Sequence, residues 1–135
     1  MKVIIVDDAM VTRQSLSAIL EADGIEVVAS VPDAPTAFEV ATEDRLDLAI
    51  IDLCLPGQAG DNLAAELLDS HLVDYVVIMS VDSSNAARQR AMHAGAVLFV
   101  DKCRDTSRLG QTLLELEASA APVQIQPLLR YATLN

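Results

Sequence analysis

The chain predicts an α/β fold: five strand–helix units, (βα)5, wound into a doubly wound parallel five-stranded sheet with helices on both faces. Three observations point there. Five short apolar runs, at residues 3–6, 27–31, 48–51, 76–79 and 97–100, are rich in β-branched residues and nearly continuous rather than alternating. Such runs suit strands buried on both faces. Segments with helical spacing lie between them, and each strand–helix–strand crossover demands a parallel neighbour.

The elements can be justified in order. The first run, Val3-Ile4-Ile5-Val6, is followed by a stripe at Leu16, Ile19 and Leu20. The second run, broken by Ala29 and Ser30, leads to Ala34, Ala37, Phe38 and Ala41, with Asp33 and Pro35 marking a helix start. After the third run come Leu63, Ala64, Leu67 and Leu68 at helical spacing. The fourth run precedes a helix-permissive stretch, 83–94, with Ala87, Ala91 and Ala94 on one side, Arg88 and Arg90 on a solvated face, and Ser83-Ser84 at its start. Leu109, Leu113 and Leu116 form the last stripe, and Gly24 and Gly95 fall where helices should stop. Residues 119–135 break the pattern: Pro122 and Pro127 bracket a short apolar stretch, and Tyr131 is a candidate apolar anchor. They read as a linker or an extra docked element.

Composition narrows the function classes. At 135 residues and 14.4 kDa there is room for one domain, and 52% apolar residues suffice for a core. Nine Lys and Arg against twenty Asp and Glu give a net charge of −11, which argues against direct contact with nucleic acid or an anionic membrane. No apolar run approaches the roughly 20 residues of a membrane span. Two cysteines, Cys54 and Cys103, make no disulfide framework, so a reducing cytoplasm is the expected compartment. As thiols they are expected to be buried or partly buried and inert. His71 and His93 stand without the Cys or carboxylate spacing of a zinc site.

The chemistry collects just after the runs. Asp7 and Asp8 follow the first, Asp52 the third, Ser80 the fourth, and Asp101 with Lys102 the fifth. In open parallel sheets this edge is where ligands bind. A lone acid at a strand end is ordinary solvated loop; acids, a hydroxyl and an ammonium at four strand ends are a constellation. Asp7, Asp8 and Asp52 in one pocket repel, which raises at least one pKa. A hard divalent cation relieves that, and oxygen ligands favour Mg2+. With Lys102 the occupied site is near neutral and can accept a phosphoryl group.

These residues resemble the CheY-like receiver domain of two-component response regulators over roughly residues 1–118. The landmarks are Val6-Asp7-Asp8, Asp52-Leu53-Cys54-Leu55-Pro56 with Gly60, Met79-Ser80, and Gly95 to Lys102. The resemblance implies strand order 2-1-3-4-5 and Asp52 as acceptor of a phosphoryl group from a histidine kinase phosphohistidine or a phosphotransfer protein. It implies Mg2+ bound by Asp8, Asp52 and the Cys54 backbone carbonyl, with Asp7 helping through water. Lys102 pairs with phosphoryl oxygens, Ser80 bonds another and moves toward it, and Phe99 matches the aromatic switch position. The fourth helix, fifth strand and fifth helix form the output surface, which also serves as a candidate homodimer face. No conventional enzyme is implied, only self-phosphorylation from a phosphodonor and autodephosphorylation.

Departures refine this. Cys103 follows Lys102 where many receivers have proline, which puts the usual cis peptide in doubt and resembles NarL/FixJ-like regulators, whose helix-turn-helix output is not in these residues. Val81, larger than the usual small residue, is expected to narrow access to the site or to alter how far Ser80 moves. Cys54 and Asp82 match positions that tune the hydrolytic water. Phosphatases of the haloacid dehalogenase type need a second acid where Cys54 stands. Asp8-Ala9-Met10-Val11 lacks the glycines and lysine of a phosphate loop, and no Gly-x-Ser-x-Gly elbow occurs. The alternative is a pseudo-receiver, a phosphorylation-independent interaction module, which should lack part of the acidic set. The downstream partner is an effector or a fused output domain.

Overall fold

The computed structural model describes residues 1–119; the expectations for the tail, Tyr131 included, lie outside them. The order is β1 (Lys2–Val6), α1 (Met10–Ala22), β2 (Glu26–Val31), α2 (Ala34–Glu43), β3 (Leu46–Asp52), α3 (Gly60–Asp69), β4 (Val73–Ser80), α4 (Asn85–His93), β5 (Leu98–Asp101), a 3-10 turn (Thr106–Arg108) and α5 (Leu109–Ala118). All strand pairings are parallel, in the order β2-β1-β3-β4-β5, as expected.

Two apolar layers sandwich the sheet. On one face Ile4, Val6, Ala49, Ile51, Ile78 and Phe99 pack under the buried stripes of α2, α3 and α4. On the other, Val3, Ile5, Ile50, Val77, Met79 and Val100 pack under Leu16 and Leu20 of α1 and Leu109 and Leu113 of α5. Helix ends follow the local signals. Asp33 caps α2 by accepting from the Thr36 N–H at 2.9 Å, and Ser84 caps α4 by accepting from the Ala87 N–H at 3.2 Å. Gly24 and Gly95 take positive φ, +80° and +96°, each two residues past the end of its helix, α1 and α4.

Two local expectations differ, and a third is met. β2 is not buried on both faces: of its six residues only Val31 is buried, because β2 ends the sheet and is covered by fewer neighbours. Asp52, Ser80 and Asp101 are the last residues of their strands rather than the first beyond them, and Val97 lies before β5. Each of the three therefore inherits a fixed backbone position from the ladder, Asp52 opposite Met79 and Ser80 opposite Asp101. The peptide after Lys102 is trans, like every other bond among the described residues.

Candidate functional site

The crossovers put the carboxyl ends of β1, β3, β4 and β5 side by side, and the predicted residues converge there. One carboxylate oxygen from each of Asp7, Asp8 and Asp52 lies within 4.8 Å of the others. Adjacent in sequence, Asp7 and Asp8 differ sharply: Asp7 is fully buried while Asp8 is exposed. Asp7 is held from three sides. Its Oδ1 accepts from the Ala9 N–H at 2.8 Å, its Oδ2 accepts from Lys102 Nζ at 2.7 Å, and its carbonyl accepts from Arg13 Nη1 at 2.8 Å.

Lys102 also donates to Asp52 Oδ2 at 3.2 Å, so one ammonium bridges two carboxylates that are 45 residues apart in the chain and meet only through β-sheet order. Burial pushes Lys102 toward the neutral form. The hydrogen bond to Asp7 and the charges of Asp52 and Asp7 outweigh it, and its pKa stands above the ordinary 10.5. Asp52 moves the other way from an ordinary salt-bridged acid. Burial is the largest influence and raises its pKa above 3.8; the Cys54 N–H at 3.2 Å and the Lys102 charge oppose it, and Asp7 adds to the rise. Repulsion between carboxylates is thus real at Asp52 but secondary to burial.

Ser80 is buried, and its Oγ accepts from the Asp82 N–H at 3.0 Å. Asp82 in turn accepts from the Ser84 N–H at 2.9 Å, which fixes the loop leading into α4 and holds the Asp82 carboxyl below its ordinary pKa. Asp101 is buried and accepts from the Cys103 N–H at 2.8 Å, while its own N–H donates to Asp105. That turn aims Lys102 inward. Phe99 lies further from the acids, buried in the layer under α4 with the Arg88 guanidinium 4.7 Å above its ring centroid.

Cys54 and Cys103 are both exposed, contrary to the expected burial, because each sits two residues past its strand on the open edge. Val81 is 68% exposed and lines a cleft with Lys102, Cys103 and Val11, Thr12 and Ser15 of α1.

Four contributors were not legible as such. Gly60 packs on the Asp52 loop so closely that a Cβ there would lie 2.0 Å from the Asp52 carbonyl oxygen, and its N–H donates to the Leu53 carbonyl at 2.8 Å. Its place in the landmark pattern was the only signal. Arg13 offered none. Arg90 is not merely solvated: its Nε and Nη2 each donate at 3.1 Å to the two oxygens of Asp61, tying α4 to α3. Arg88 likewise has a partner, the Phe99 ring.

A parallel sheet in this order, ending in an acidic cluster bridged by a lysine, defines a class of protein, and comparison with known proteins agrees. The chain belongs to the response regulator receiver domain family, whose sequence model matches residues 3–114. Among curated relatives, the transcriptional regulatory protein PdtaR of Mycobacterium tuberculosis is 29% identical over 101 residues, covering 75% of this chain and 49% of the relative. A protein-glutamate methylesterase/protein-glutamine glutaminase of Cereibacter sphaeroides is 30% identical over 134 residues, covering 98% and 34%. This chain therefore spans half or less of the length of these two relatives. Among solved structures, the signal receiver domain of NarL from Mycobacterium tuberculosis superposes with a TM-score of 0.77 at 24% identity, covering 84% of this chain and 93% of that one, a likeness in fold. Among the described residues no helix is long and apolar enough to cross a membrane.

Proposed function

We propose that residues 1–118 form a phosphoacceptor receiver in which Asp52 takes a phosphoryl group from the phosphohistidine of a kinase or phosphotransfer protein. The observation that carries this is the Lys102 ammonium bound to both Asp7 and Asp52 at the edge of the sheet. An Asp52 oxygen attacks phosphorus, the phosphorus–nitrogen bond to the donor imidazole breaks, and its electron pair stays on that nitrogen. Lys102 then balances charge on the phosphoryl oxygens, and Ser80 donates its hydroxyl proton to one of them.

The donor set fits a hard divalent cation: three carboxylates converge, and oxygen ligands suit Mg2+. Asp8, Asp52 and the Cys54 carbonyl would hold it, with Asp7 acting through water. When bound, the cation offsets the negative charge that gathers around phosphorus. Among the protein's own groups, Asp7 has the task of holding Lys102 charged and oriented, for which its full burial suits it. Phosphorylation biases Ser80 and Phe99, and with them the surface of α4, β5 and α5, toward a second arrangement read by an effector or a fused output domain. Exposed Cys54 and Cys103 fit a reducing cytoplasm.

The test is intact-mass spectrometry after incubation with Mg2+ and acetyl phosphate, with Asp52→Asn beside the parent. A gain of about one phosphoryl group in the parent alone supports the proposal. Equal uptake by the variant overturns it. No uptake, together with no beryllofluoride binding, favours a phosphorylation-independent interaction module.

A further inference from the structure

Among the described residues the buried acids are Asp7, Asp52 and Asp101, and the proposed chemistry gives Asp101 no task. It stands outside the group of carboxylates that could share a cation. Among the described residues it enters no ion pair either, since the ammonium next to it in sequence is bound to Asp7 and Asp52. A buried carboxylate is costly unless hydrogen bonds compensate it, and this one serves the backbone just beyond Lys102.

Its Oδ1 accepts from the Cys103 N–H at 2.8 Å, and its carbonyl accepts from the N–H of Arg104 at 3.1 Å and of Asp105 at 2.9 Å. Asp105 reaches back, its Oδ2 accepting from the Asp101 N–H at 3.2 Å. The N–H of Lys102 itself donates to the Ser80 carbonyl at 3.0 Å. Every backbone N–H from 101 to 105 is thus engaged, and those of 103, 104 and 105 all end on Asp101. An Asp that accepts from the N–H two residues on closes an Asx turn, and Lys102 stands at the centre of this one. A lysine carries about 2 kcal/mol of rotamer freedom on a four-carbon stem. Its Nζ must nevertheless meet two carboxylates at 2.7 and 3.2 Å, so the stem needs a fixed origin.

We infer that Asp101 and Asp105 are positioning residues: their interlocked hydrogen bonds set the backbone of Lys102, and through it the ammonium that spans Asp7 and Asp52. This goes beyond the proposed function, and only its effect on phosphoryl uptake rests on that reading. It also gives Cys103 a task in which the thiol has no part. Position 103 must supply an N–H, so proline there would delete the donor and restrict Lys102 as well. A direct electrostatic role for Asp101 fits worse, because Lys102 Nζ turns to Asp7 and Asp52.

The test uses the full chain, labelled with 15N, as the parent, Asp101→Ala, Asp101→Asn, Cys103→Pro and Cys103→Ala. The first readout, without metal, is the NMR signal of the Lys102 ammonium, which is visible only while hydrogen bonds slow the exchange of its protons. The inference expects that signal in the parent, in Asp101→Asn, whose amide oxygen still accepts, and in Cys103→Ala, which keeps the N–H. It expects the signal to vanish in Asp101→Ala and Cys103→Pro. The second readout is the rate of phosphoryl uptake from acetyl phosphate with Mg2+. It should fall about 10- to 100-fold in those two variants and stay within about threefold of the parent in the others. In a Lys102→Met background Asp101→Ala should slow uptake no further, because it acts through the lysine. Four results overturn the inference: no ammonium signal in the parent, a signal that survives in Asp101→Ala or Cys103→Pro, equal damage by Asn and Ala at 101, or rate losses that multiply in the double variant. If melts show Asp101→Ala unfolded, the two Cys103 variants decide alone. Absence of uptake in the parent removes the phosphoacceptor assignment and leaves the ammonium signal to decide this one.

Discussion

Replacing Lys102 by Met removes the one ammonium that bridges Asp7 and Asp52 while keeping the length of the side chain. Lys102 Nζ lies 2.7 Å from a carboxylate that is completely buried and 3.2 Å from one whose side chain is 10% exposed. At an effective dielectric of about 20, the closer contact alone is worth about 6 kcal/mol of gross attraction. Desolvation of the ammonium, whose side chain is 15% exposed, offsets roughly half of it. We expect a net loss of about 3 kcal/mol at pH 7 without metal, the low end for a broken buried pair because water still reaches Lys102. In urea, with a slope of about 1.5 kcal/mol per molar, the midpoint falls by about 2 M. The pH dependence has a definite sign. Asp52 already has a raised pKa, so its charged form costs stability above that pKa, and removing Lys102 takes away one influence that lowers it. The gap between parent and variant therefore closes as pH falls toward the ordinary carboxyl value of 3.8. It also shrinks in an Asp52→Asn background and on adding millimolar Mg2+. A gap under about 1 kcal/mol at pH 7, or one indifferent to acid and to Asp52→Asn, would refute the buried bridge.

Gly60→Ala forces α3 away from the Asp52 loop; thermal melts should show a loss of about 1–3 kcal/mol and phosphoryl uptake should fall with it, whereas a neutral substitution would mean that α3 retreats freely. Asp33 has a lowered pKa through its hydrogen bond to Thr36, so its cap stabilises the fold above 3.8 and the benefit vanishes as pH falls through the folded value. Melts of Asp33→Ala should lie below the parent at neutral pH and merge with it in strong acid; a gap that widens in acid contradicts the cap. Cys54 and Cys103 are exposed, so a thiol reagent should titrate two groups per native chain, and slow or partial reaction would place one of them under cover.

Much of this molecule can be read before it folds, wherever the determinant is local. The alternation of β-branched runs with helical stripes needs only side-chain stiffness and spacing, and the stripes at Leu16 and Leu20, at Ala34, Ala37 and Ala41, and at Leu63 and Leu67 are the buried ones. Caps at Asp33 and Ser84 are hydrogen bonds across three residues, and stops at Gly24 and Gly95 are single backbone angles. The acids could be gathered at one edge because parallel crossovers repeat the same direction five times. What local pattern could not supply is everything set by distance between strangers in the chain. Asp7 and Asp8 look equivalent in sequence, yet one is buried under Lys102, 95 residues away, and the other faces water. The apolar run of β2 suggested burial on both faces, yet only Val31 of it is buried, since the run does not record how many neighbours will cover it. Arg88 and Arg90 look alike on one helix, but packing gives one an aromatic ring and the other a carboxylate of α3. The sequence by itself determined the elements, their caps and the roster of acids, because those follow from interactions within a few residues. Burial, pairing and the raised pKa values of Asp52 and Lys102 were decided only by tertiary structure, because desolvation and charge act through space and not along the chain.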